Sequence, residues 1–144
     1  MDDNRIDATL SQADKDAIMA ALAAIRQKLP FLIDLSLDER RAMLKLGDKS
    51  LPFVNKALDV AAQNADFLPR SFDVADLRRD VELLQAMQPI ALALTQLQEL
   101  VDDTLMLVGS EAYAGALTVY QYARSSGQGA ALDEALDDMG KRFS

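Results

Sequence analysis

VELLQAMQPIALALTQLQELVDDTLMLV, residues 81–108, decides the fold. Apolar residues recur through it at steps of three and four. With one upstream position they form the series Leu77, Val81, Leu84, Met87, Ala91, Leu94, Leu97, Val101, Leu105 and Val108. Such spacing marks one face of a helix; a half-buried strand would alternate every second residue. Asp73 stands where a helix start wants a side-chain acceptor. Asp76 falls in the first turn, where the helix dipole favours negative charge. Pro89 removes one backbone hydrogen bond and is expected to kink the helix rather than divide it, because the series continues beyond it. Gly109-Ser110-Glu111 is expected to be either a tight turn or a bend in a continuous helix.

Upstream the same period returns. Ile18, Leu22, Ile25, Leu29 and Leu32 form a stripe that starts from a Ser11–Asp14 cap and ends at Pro30. Ser36 with Glu39 predicts a second start, followed by Leu37, Leu44, Gly47, Leu51, Val54, Leu58 and Ala61. Within that run Gly47-Asp48-Lys49-Ser50 superficially resembles the end of a phosphate loop. That loop needs Gly-x4-Gly-Lys-Ser/Thr after a buried strand, whereas here Asp48 splits Gly47 from Lys49 and no second glycine precedes them. The stretch reads as a helix break. Gly47 is expected as the C-terminal glycine, Ser50 as the next cap and Pro52 in the first turn. Residues 63–72 are expected to be a loop, with Phe67, Leu68 and Phe72 capping one end of the core.

Downstream of Gly109, Tyr113, Ala116, Tyr120 and Ala123 share a face, with Leu117 beside them. Ser126-Gly127-Gln128-Gly129 is expected to be flexible, and a short helix carrying Leu132, Leu136, Met139 and Phe143 follows. These segments predict an all-α chain: an antiparallel four-helix bundle with a long, Pro-kinked third helix and a short C-terminal helix. It is expected to form one domain over residues 1–144, with residues 1–10 as a flexible N-terminus. A third helix of about 50 Å, at ~1.5 Å per residue, outruns its partners. Its outer positions Leu97, Val101, Leu105 and Val108 are therefore candidates for self-association as a homodimer. The alternative is that the last helix folds back over them. A candidate ligand pocket gathers Tyr113, Tyr120, Met87, Phe67 and Phe72, where aromatic bodies and polar tips coincide.

The 144 residues include no cysteine and no histidine, and the formal net charge is −8. A disulfide framework, a thiolate metal site and a cysteine nucleophile are thereby excluded. The commonest general base and transition-metal ligand are missing too. Acids cluster at Glu99, Asp102 and Asp103 and again at Asp133, Glu134, Asp137 and Asp138. Bundle di-metal sites pair glutamates with Glu-x-x-His, and no run here has the alternating acids of an EF-hand. Ser-x-x-Lys spacing does not occur. No catalytic residue, metal ligand or cofactor is therefore expected. A strongly acidic chain is a poor partner for nucleic acid. No block approaches the ~20 apolar residues of a membrane span, and the acidic N-terminus is unlike a signal peptide. These features predict a cytoplasmic protein that does not insert into membranes.

The stretches LPFLIDLSLDERRAMLKLGDKSLPFVNKAL and DDTLMLVGSEAYAGALTVYQYAR resemble a family of small, uncharacterised bacterial helical proteins. The resemblance extends from about Leu29 to Phe143. It implies a bacterial source and a cytoplasmic helical protein, and supplies no site residue. The function expected is non-enzymatic, a protein-interaction or assembly module. The alternative is a small-molecule binder with an apolar pocket between helices. If Gly47–Ser50 is a helix break, added ATP leaves the melting temperature unchanged, and Lys49→Ala moves it by no more than a few degrees. An ATP-dependent rise that this substitution abolishes would establish a nucleotide site instead.

Overall fold

The computed structural model describes residues 5–126 and 129–141. Every regular element among them is helical: α1 (Gln12–Lys28), α2 (Leu37–Ala42), α3 (Ser50–Gln63), a 3-10 turn (Ala65–Phe67), α4 (Val74–Ser126) and α5 (Ala130–Gly140). Among these residues no helix is long and apolar enough to cross a membrane. The chain divides into two compact units. One is Leu10–Leu94; the other takes the described residues on either side of it.

In the unit Leu10–Leu94, α1 starts as its sequence predicts. Ser11 Oγ accepts the Asp14 N–H at 3.0 Å. The helix ends with the Leu29 N–H on the Ile25 carbonyl, immediately before Pro30. Ser36 and Glu39 form a reciprocal capping box, with bonds of 3.1 and 3.3 Å. From there the structure departs from expectation. The second helix stops at Ala42, five residues before Gly47, and Met43 is extended (φ −77°, ψ 146°). The physical reason lies in Lys45. Its ammonium donates to the carbonyls of Arg40 and Met43, so a side chain closes the helix end and no left-handed glycine is needed. Gly47 accordingly does not have a positive φ. Nor does Ser50 cap α3. It is the first residue of that helix, and its N–H donates to the Gly47 carbonyl at 2.9 Å.

The packing of this unit centres on α3 and the start of α4. Asp73 Oδ1 accepts the Ala75 N–H at 2.9 Å and so fixes where α4 begins. Ala61 on α3 and Val81 on α4 are the two buried residues among those described, at 5% and 3% exposure. Leu51, Val54, Leu58, Leu77 and Leu84 are half-buried. Gln85 Nε2 on α4 donates to Asn55 Oδ1 on α3 at 3.1 Å. No residue of α1 or α2 is buried.

In the other unit α4 runs through Gly109 without interruption, so that glycine makes no tight turn. The Arg5 backbone N–H donates to Glu111 Oε1 at 2.7 Å and ties the start of the chain to this helix. Leu132, Leu136 and Met139 of α5 are half-buried. The Arg124 guanidinium lies 5.7 Å from the centre of the Tyr120 ring. A Cβ added to Gly140 would lie 3.4 Å from the Tyr120 hydroxyl, so the end of α5 stands against that side of α4. The flexible patch expected at Gly127 and Gln128 falls outside the described residues, as do residues 1–4 and Phe143. Gly129 precedes α5 at φ 78°, ψ 150°, a conformation that essentially only glycine adopts. Gly129→Ala should cost about 1–3 kcal/mol. Amide exchange of residues 130–140 should quicken accordingly, while residues 50–63 exchange at the parent rate.

Candidate functional site

The series read along α4 falls in two units: Leu77, Val81 and Leu84 lie in Leu10–Leu94, and Leu97, Val101, Leu105 and Val108 in the other. Within Leu10–Leu94 the first three are buried or half-buried. In the other unit the last four are between 42 and 65% exposed. α5 does not cover them. It lies against Tyr120 and Arg124, which the helical repeat puts on a different side of α4. The uncovered face continues through Ala112 and Gly115 to Val119 and Tyr122, the last 74% exposed. From Val101 to Tyr122 its steps are four, three, four, three, four and three. That is an unbroken heptad run, the spacing of a helix-pairing seam.

A second feature lies within Leu10–Leu94. Phe53, Lys56, Ala57, Val60 and Ala61 on α3 face Phe67, Leu68, Phe72 and Leu77 around a pocket of about 390 Å³. The α3 residues follow the i, i+3, i+4, i+7, i+8 spacing of one helix face. The 3-10 turn and the Pro69–Phe72 turn fold the aromatic loop over them, with the Phe72 N–H on the Pro69 carbonyl at 3.0 Å. Lys56 supplies the one charged group in an otherwise apolar lining. Such a pocket suits a compact apolar body with an anionic group at its rim.

Beside α5 a more open depression of about 660 Å³ is lined by Tyr120, Arg124, Asp133, Leu136, Asp137, Gly140 and Lys141. Two cations and two carboxylates balance there, so it favours neither sign of ion. Among the described residues no three acids come together as a metal cage, and the acidic clusters on α4 and α5 remain solvated.

Of the candidate pocket residues, Phe67 and Phe72 share the apolar pocket, while Tyr120 lines the polar depression. Met87 and Tyr113 line neither. Phe53, Lys56 and Val60 were missed as site residues, although their spacing on α3 was available as a signal. Ala112, Gly115, Val119 and Tyr122, which extend this exposed face, were missed because the apolar series was read as ending at Val108, before the turn or bend expected at Gly109. No family model, no curated protein and no solved structure matches this chain. The pocket makes its own prediction. Anilinonaphthalene sulfonate, an apolar body with one anionic group, should bind and brighten. Phe72→Ala should remove most of that signal, and Lys56→Gln should weaken binding a few-fold, as fluorescence titration would measure.

Proposed function

We propose that this protein is a non-enzymatic helical assembly module that pairs with a second copy of itself through α4. One observation carries the proposal: Leu97, Val101, Leu105 and Val108 keep large exposed areas within their own unit. Contiguous apolar stripes of this kind are usually covered, and a two-fold dimer is the commonest cover. Each of these side chains gains up to about 1 kcal/mol on losing its remaining exposure. The antiparallel four-helix bundle, with its bend at Pro89, is the form the helices take once their stripes are covered. A bacterial cytoplasm is the setting that the family resemblance implies. Self-association needs neither cofactor nor nucleic acid.

The alternative is a small-molecule binder, favoured by the apolar pocket under Phe53, Phe67 and Phe72 with Lys56 at its edge. The two activities use different residues and can be separated by experiment.

Sedimentation at micromolar concentration tests the assembly reading. The parent should run as a dimer. Val101→Glu with Leu105→Glu should weaken association by roughly a hundredfold or more, because an unpaired charge in an interface costs several kcal/mol. Its helix content should be unchanged by circular dichroism. A parent that stays monomeric across the range would remove the proposal. So would a double variant that unfolds instead of dissociating, since the stripe would then belong to the monomer's own core.

A further inference from the structure

From the layout of the α4 face we infer that the two copies pair antiparallel in one register, crossing beside Gly109, with Leu105 of each seated over Gly115 of the other. This inference rests on the self-association proposed above and specifies its geometry.

The glycines point to it. Gly109 and Gly115 sit inside a continuous helix, where each costs about 1 kcal/mol relative to alanine. Neither has a positive φ, and a Cβ added to either would meet nothing within 4 Å. No turn and no neighbour among the described residues therefore requires them. A close approach from outside the chain would.

The seam is complementary to itself in only one direction. Turned end for end about residue 110, Val101 meets Val119, Leu105 meets Gly115 and Val108 meets Ala112, while Tyr122 reaches the region of Leu97. Leu105 then faces Gly115 and Val108 faces Ala112, while Val101 and Val119 pair as side chains of equal, moderate size; two Gly109 backbones lie side by side at the crossing. A parallel pair in register would stack Gly115 on Gly115 and Ala112 on Ala112, leaving a void. It would also crowd Tyr122 against its copy. Unfilled volume in a packed interface is destabilising, as is overpacking.

The flanks of the seam permit this contact. One side carries Asp102, Gly109, Ala116 and Ala123; the other carries Thr104, Glu111 and Thr118. The Thr104 and Thr118 hydroxyls already donate to the Leu100 and Ala114 carbonyls, at 2.7 and 3.0 Å, so their burial strands no donor. In the antiparallel register Asp102 faces Ala116. Glu111 lies near its own copy, and the Arg5 backbone bond brings a cationic residue beside it. Glu99 and Asp103 point away from the seam. A chain of net charge −8 can thus present a nearly uncharged face to its own copy.

The natural sequence lacks cysteine, so single cysteines report register cleanly. Val108→Cys and Ala112→Cys, co-refolded and mildly oxidised, should give a disulfide-linked heterodimer. Each variant alone should give little linked product, because like positions are offset by about 6 Å along the axis at 1.5 Å per residue. Gly115→Leu should keep or raise helix content yet weaken the dimer at least tenfold, since the added side chain meets Leu105 of the other copy. Linked homodimers from each single variant, or a dimer strengthened by Gly115→Leu, would establish a parallel pair and overturn the register. A parent that sediments as a dimer without forming the linked heterodimer would overturn it as well. A monomeric parent would instead remove the underlying self-association.

Discussion

An amphipathic helix is stable only where its apolar stripe is taken out of water, and α4 has more stripe than its own unit covers. In Leu10–Leu94 the requirement is met by α3. Ala61 and Val81 are buried there, and Leu58, Leu77 and Leu84 are half-buried. In the other unit α5 meets the Tyr120 side of α4, and Val101, Leu105 and Val108 keep large exposed areas within that unit. Isolated helices gain little from propensity alone. The heptad run therefore lacks cover within its own unit, and a second copy is the cover proposed for it.

Charge on α4 and α5 is compatible with the contact proposed above. In that unit the acids of these two helices lie on α5 or on α4 faces away from the seam, apart from Asp102 and Glu111 at its flanks. The ion pairs Arg40–Asp34 at 3.6 Å, Lys141–Asp138 at 3.5 Å and Arg79 with Asp73 and Asp76 are solvent-exposed. Pairs of that kind add little stability. A net charge of −8 opposes non-specific association, and the proposed pairing keeps most of these acids outside the seam.

Much of the helical architecture was legible in the sequence because it is set by local chemistry. The Ser11 cap, the Ser36–Glu39 box, the Asp73 start and the continuity of α4 past Pro89 all follow from short-range patterns. What was not legible depended on distance. Lys45 closes α2 by reaching back five residues to Arg40, and no capping pattern anticipates a flexible ammonium doing the work of a glycine. The apolar pocket was half visible. Phe67 and Phe72 announced themselves by being too apolar for a solvated loop, but their partners on α3 looked like ordinary core. Grouping Tyr113, Tyr120 and Met87 with them followed residue type, and residue type carries no information about which helix faces which.

Gly109, Gly115 and Pro89 together should cost α4 about 5 kcal/mol by helix propensity. A 53-residue helix that keeps all three must be held by packing and not by its own backbone preference. In Leu10–Leu94 that packing is present around Val81, a few residues from the proline. At the glycines none of the described residues supplies it, because an added Cβ would meet nothing within 4 Å. Small residues in open space contribute neither propensity nor burial. In the proposed dimer they have a use: a second helix approaches closely at these positions, and Leu105 of the same sequence has the bulk to fill the gap that Gly115 leaves.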